Sequence, residues 1–312
     1  MARNERGRVV RVPGPDIAAI AVRVSLAHPD TPIYGFCVGH ESGLWRKNVL
    51  LRFAGGFLLK FALRYDELRL SSDADWQGSI YRAAELVFSS PNYKRRGEFG
   101  ELLLHALLES FFATEPAIAK IYWKTGLGDT VKGADAVHVT LEPSPDGGDE
   151  LFLWLGEAKF YGDSKSGWKA AAKSVAASLV STKLRSEFDA IVRLHDPSWP
   201  HSQRLAGLLH RDVSLSAIAD RIVVPVLVTY DSAALKAPGP QDATYPDVLS
   251  LEVDACANTF RVELQELAGE DDELAGILGR VSVVLLTVPL LDKQDVARLF
   301  HSRLQGLMLG TS

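Results

Sequence analysis

Two ionisable side chains, Glu157 and Lys159, stand one residue apart at the end of the apolar run Leu151-Phe152-Leu153-Trp154-Leu155. A run of this kind, bounded upstream by Asp146-Gly147-Gly148-Asp149, predicts a buried central strand. Side chains alternate across a strand, so Glu157 and Lys159 share one face and Ala158 takes the other. Two strand positions span ~7 Å, so both heads can reach a common ion or phosphate. Charges at the end of a core strand are costly unless they are paired or bind a metal. These residues alone leave two readings, a Glu–Lys pair that closes off a strand or a catalytic pair.

A second carboxylate bears on that choice. From Asp135 the run Ala136-Val137-His138-Val139-Thr140-Leu141 is β-rich and partly alternating, which predicts another strand. Glu142 to Asp149, with two prolines and two glycines, reads as a loop, so the two strands form a hairpin. Asp135 can then fall near Glu157. Upstream, Lys94 to Glu109 has an amphipathic helical pattern, and Glu98 and Glu101, three apart, share a face.

A helix with Glu, a strand with Asp and a strand with Glu-x-Lys, in that order, resemble the catalytic core of the PD-(D/E)xK nuclease superfamily. The resemblance implies that Asp135, Glu157 and the Ala158 carbonyl hold a divalent ion. It implies that Lys159 orients the attacking water and helps deprotonate it, and that Glu101 completes the outer part of the metal site. Glu98 is the substitute for Glu101, although Gly97-x-x-x-Glu101 matches the helix motif best. Hard oxygen donors suit Mg²⁺, with Mn²⁺ as a substitute. Gly133-Ala134 stands where the family name has its proline, a departure many members share.

Three blocks carry a narrower likeness. They are Arg95-Arg96-Gly97-Glu98-Phe99-Gly100-Glu101, Lys132-Gly133-Ala134-Asp135-Ala136-Val137-His138, and Leu153 to Tyr161. Spread over roughly the middle third of the chain, they look like the HamA family, nuclease effectors of the two-gene Hachiman anti-phage systems. That resemblance implies DNA as substrate and a HamB-type helicase as partner. Nothing in composition or spacing speaks to either.

The elements around these residues can be read further. Trp168 to Leu184 has a strong helical pattern, and Lys165, Lys169 and Lys173 recur every fourth position as one stripe. From Ser164 to Ser186 there is no acidic residue, so the stripe is read as a contact for the DNA phosphate backbone rather than only a solvated face. Lys169 is the candidate for the further Lys or Gln that the superfamily often carries on this helix. Gly126 to Gly133 lacks the Gly-Lys-Ser/Thr ending of a phosphate-binding loop and reads as a flexible entry to the Asp135 strand. His138, three after Asp135, faces the opposite side and reads as a packing or hydrogen-bonding histidine. His195, His201 and His210 with Asp196 fit no zinc spacing. The absence of Gly-x-Ser-x-Gly removes a serine hydrolase of that type.

The chain has 312 residues, enough for one large or two modest domains. We read residues 1–88 as an N-terminal β-rich accessory lobe and 89–312 as the nuclease-like domain. In the lobe, Ile17 to Leu26 reads as a short helix, and Trp45 to Leu51 and Phe57 to Tyr65 as strands with a hairpin look. Pro225, in the strand Arg221 to Tyr230, predicts an edge or a bulge. Interleaved strands and helices from Leu102 to Leu307 predict an α/β fold, a restriction-endonuclease-like core whose mixed central sheet is flanked by helices. No apolar run reaches ~18 residues, so no membrane span is expected. Two distant cysteines, Cys37 and Cys256, read as ordinary thiols of a reducing, cytoplasmic compartment. A net charge of −5 argues against strong autonomous DNA affinity and suits an effector delivered by a partner. A non-catalytic subunit that keeps the fold and docks DNA or a partner is the alternative.

Overall fold

In a computed structural model, the structure describes residues 31–70, 76–88, 97–120, 133–144, 147–236 and 245–309, with short strands at 2–3, 9–10 and 22–26. One sheet organises them. Its strands are β1 (Val22–Leu26), β2 (Ile33–Cys37), β3 (Glu115–Pro116), β4 (Ala136–Pro143), β5 (Asp149–Phe160), β6 (Ile222–Asp231) and β7 (Ser282–Leu290). Their order across the sheet is β1-β2-β7-β6-β5-β4-β3. The centre is parallel, because β6 runs alongside both β5 and β7, and β7 alongside β2. Antiparallel pairs close both sides, β1 with β2 and β4 with both β5 and β3. The sheet is therefore mixed, as expected. The central strands are almost wholly buried, which is why β6 and β7 read as continuous apolar runs rather than alternating ones.

The longer helices are α1 (Lys47–Gly55), α2 (Trp76–Val87), α3 (Glu98–Phe112), α4 (Ser164–Ser178), α5 (Ser181–Leu194), α6 (Tyr245–Gly269) and α7 (Lys293–Leu309). Shorter ones fall at 58–62, 65–70, 202–208, 215–219, 233–236 and 272–278. α3 lies on one face of β5 and is nearly all buried. The other face carries α4, packed along α6. Two glycines set the α3 contact distance. A Cβ on Gly156 would meet Leu104 Cδ2 at 2.8 Å, and one on Gly100 would meet Phe160 Cβ at 3.1 Å. α3 ends where Ala113 turns left-handed at φ 51°, and its N–H bonds back to Leu108.

Several local expectations are corrected. Trp45 to Leu51 and Phe57 to Tyr65 form no hairpin, since α1 and the 58–62 helix occupy that stretch. Leu50, Leu51 and Ala54 follow a helical rather than a two-residue period, and all are buried. Residues 22–26, expected to be helical, form β1, and residues 17–21 lie outside the described set. The strands β1 and β2, neither of them expected as a strand, extend the common sheet at one edge. Pro225 sits in a central strand, not at an edge. The β6–β5 register has no pair at Val224 or Pro225, so the missing N–H falls at a gap in that ladder. The helix expected from Trp168 to Leu184 breaks at Val180, which is extended at φ −59°, ψ 129°. The glycine-rich segment lies outside the described residues up to Lys132.

Candidate functional site

The β4–β5 hairpin brings Asp135 to the Glu157–Lys159 strand. Ala136 pairs with Gly156, and the Asp135 N–H donates to the Gly156 carbonyl at 2.7 Å. Two residues further along β5, the Ala158 N–H donates to Asp135 Oδ2 at 2.9 Å. Asp135 is thus held by the backbone of the very strand that carries Glu157 and Lys159. Those two share a face, as alternation requires, and Lys159 Nζ lies 2.5 Å from Glu157 Oε1. Gly156 and Phe160 turn to the opposite face, against α3.

The electrostatics follow from crowding. Burial pushes the Glu157 carboxyl up, and the Asp135 charge pushes it further; Lys159 and a hydrogen bond from Ser174 oppose both. A carboxyl pushed up by burial and by a second carboxylate beside it favours a cation at that place. Two lysines answer that charge, Lys159 and a second one, Lys120. Lys120 is 8% exposed, and its Nζ donates to Asp135 Oδ1 at 3.0 Å and to the Ala134 carbonyl at 2.8 Å. Burial alone would lower its pKa, but Asp135, Glu101 and Glu157 outweigh that and raise it.

Helix α5 contributes Glu187, whose Oε1 accepts the Ala134 N–H at 2.6 Å. Burial pushes the Glu187 carboxyl up to about 7, with the Ala134 N–H and Lys120 opposing and Glu157 and Asp135 adding. Between them, Lys120 and Glu187 hold both sides of the Ala134 backbone, and so set where Asp135 begins.

Of the two helix glutamates, Glu101 is buried and acts on Lys120, whereas Glu98 is half-buried. The lysine stripe has a partner that its own segment concealed. Lys169 and Lys173 lie 3.0 and 3.4 Å from Glu263 of α6, while Lys165 is exposed on the first turn of α4. From α4 it is Ser174, not Lys169, that reaches Glu157. His138 is buried, with Nε2 2.9 Å from His105 and Nδ1 2.8 Å from Thr114, as its position opposite Asp135 suggested. Cys37 and Cys256 are free, buried thiols.

Lys120, Glu187 and Ser174 are the site residues that sequence reasoning missed. Ser174 lies on the helix whose lysines drew the reading, and Lys120 and Glu187 lie in stretches with no motif of their own. Among the described residues, no group of three or more His, Cys, Asp or Glu side chains is set to hold a metal ion. The donor set here is smaller, two carboxylates and the backbone beside them. That set fits a hard ion such as Mg²⁺, which takes one or two carboxylates and keeps several waters, and does not fit zinc.

A mixed α/β sheet flanked by helices, with an acidic and lysine-bearing strand end at its middle, defines the class of this protein. A family model, HamA, matches residues 20–304, and the chain belongs to that family. Membership ties it to Hachiman anti-phage defence. No curated protein matches the chain. Among the described residues, no helix is long and apolar enough to cross a membrane.

Proposed function

We propose that this chain is a Mg²⁺-dependent DNA nuclease of the PD-(D/E)xK type, able to use Mn²⁺. We propose further that it is the effector subunit of a Hachiman system, restrained by a helicase partner. The observation that carries the reading is the bond from the Ala158 N–H to Asp135 Oδ2, which fixes Asp135 beside the Glu157–Lys159 pair. In this reading Asp135, Glu157 and the Ala158 carbonyl hold the ion. When bound, the ion makes a water nucleophilic at neutral pH and offsets charge on the phosphate. Lys159, anchored by Glu157, orients that water and helps deprotonate it. Ser174 steadies Glu157, and Lys120 and Glu187 steady the approach to Asp135.

Lys165, Lys169 and Lys173 contact the DNA backbone in this reading. Glu263 competes for two of them. That competition, with a net charge of −5, supports weak binding by the chain alone and delivery by a partner.

Plasmid degradation with Mg²⁺, against EDTA, tests the chemistry. Glu157→Ala and Lys159→Ala should each lose roughly a hundredfold or more in rate. Phage protection that survives both substitutions in full would favour a non-catalytic subunit instead. Co-purification, then nuclease assays on the free chain and the complex with and without ATP, tests the restraint. Equal cutting by both forms would count against it.

A further inference from the structure

The nuclease reading leaves one buried group without a role in the chemistry, the Lys120 ammonium. Lys159 is 22% exposed at its side chain and pairs with Glu157, so it can move when the site fills. Lys120 differs. It is 8% exposed and bonded to a main-chain carbonyl, Ala134 O, as well as to Asp135 Oδ1. A backbone acceptor does not move aside, and a buried ammonium cannot leave its partners cheaply. Glu101, buried on α3, acts on the same ammonium. Asp135 Oδ1 therefore faces a fixed positive charge, while Oδ2 accepts the Ala158 N–H from the strand that carries Glu157.

We infer that Lys120 serves as the second cation of this site, filling the place beside Asp135 that a two-metal nuclease would give to a second ion. The site then takes one divalent ion, on the Glu157 side of Asp135, and Glu101 is the counter-charge of Lys120 rather than a metal ligand. A divalent ion set beside the ammonium would meet strong like-charge repulsion at low effective dielectric. The inference rests on the nuclease reading and goes beyond it by fixing the ion count and the role of Glu101.

Calorimetric titration of the metal-free, full-length chain with Mn²⁺, alongside electron paramagnetic resonance of the bound ion, decides it. Wild type and Lys120→Arg should bind one ion per chain. Lys120→Met should bind two, and adding Glu101→Gln to it should return the count to one. On the wild-type background, Glu101→Gln should lower Mn²⁺ affinity less than about tenfold. Two ions in wild type, one in a folded Lys120→Met, or a larger loss on Glu101→Gln would overturn the inference and leave the nuclease reading standing. If Lys120→Met does not fold, the wild-type count and Glu101→Gln still decide. No Mn²⁺ binding by wild type, or binding that survives Glu157→Gln, would sink the nuclease reading and the inference with it.

Discussion

At Glu187 a single buried carboxyl sits among three charges, Lys120, Glu157 and Asp135. Its folded pKa, about 7, lies above the ordinary carboxylate value of 4.5. Between those values the folded chain holds a proton that the unfolded chain has released. The stability this group contributes is therefore fully present below pH 4.5 and is lost as pH rises through 7. In metal-free buffer the loss should amount to about 3 kcal/mol. Urea unfolding at pH 5 and pH 8 measures it. Glu187→Gln keeps an oxygen for the Ala134 N–H and should flatten the slope; a wild-type slope retained in the variant would contradict this account. The residue was legible in the sequence only as one of two acids in that stretch, beside Asp189. Nothing in its spacing points to Ala134, fifty-three positions away, because that contact is made by packing α5 beside the hairpin.

The elements matter through how closely they approach. α3 reaches β5 because Gly156 presents no side chain to Leu104, and a methyl there would also meet Ala136 Cβ at 3.0 Å. Gly156→Ala should thus overpack the α3–hairpin junction and cost about 1–3 kcal/mol. Since Gly156 also pairs with Ala136 and accepts the Asp135 N–H, the same change should displace Asp135 from the Glu157 strand. A denaturation midpoint equal to wild type would show that the junction relaxes freely. The β4–β5 hairpin and the α3 helix were readable from their patterns, since β-rich runs broken by a Pro/Gly loop have few other solutions. α1 and the 58–62 helix were misread as strands. Short apolar runs broken by Gly55-Gly56 are easily read as strands, and burial against α2, α3 and α7 is what selects the helices.

For the whole molecule the governing quantity is where charge is spent. The stripe on α4 was expected to be unopposed, and within its own segment it is. Glu263, ninety-four positions beyond Lys169, lies 3.0 Å from it and 3.4 Å from Lys173. Its carboxyl is held below the usual range by the Lys169 hydrogen bond first, then by the Lys169 charge and by Lys173. Glu263→Gln should release both lysines and raise DNA affinity at low salt. The slope of log affinity against log salt should steepen by roughly one to two. Filter binding across a salt series measures both, and an unchanged slope would mean the stripe does not face DNA.

What the chain order alone determined is the local grammar: an apolar run ending in Glu-x-Lys, a hairpin before it, a helix with paired glutamates before that, and the likeness those blocks carry. Such features depend on neighbours a few positions apart, and alternation decides which share a face. The three-dimensional fold alone decided which charges meet. Lys120 on Asp135, Glu187 on Ala134, Ser174 on Glu157 and Glu263 on the α4 lysines join segments that no periodicity links. Their pairing is set by how helices pack on a sheet, and Coulomb forces act through space with no regard for sequence distance.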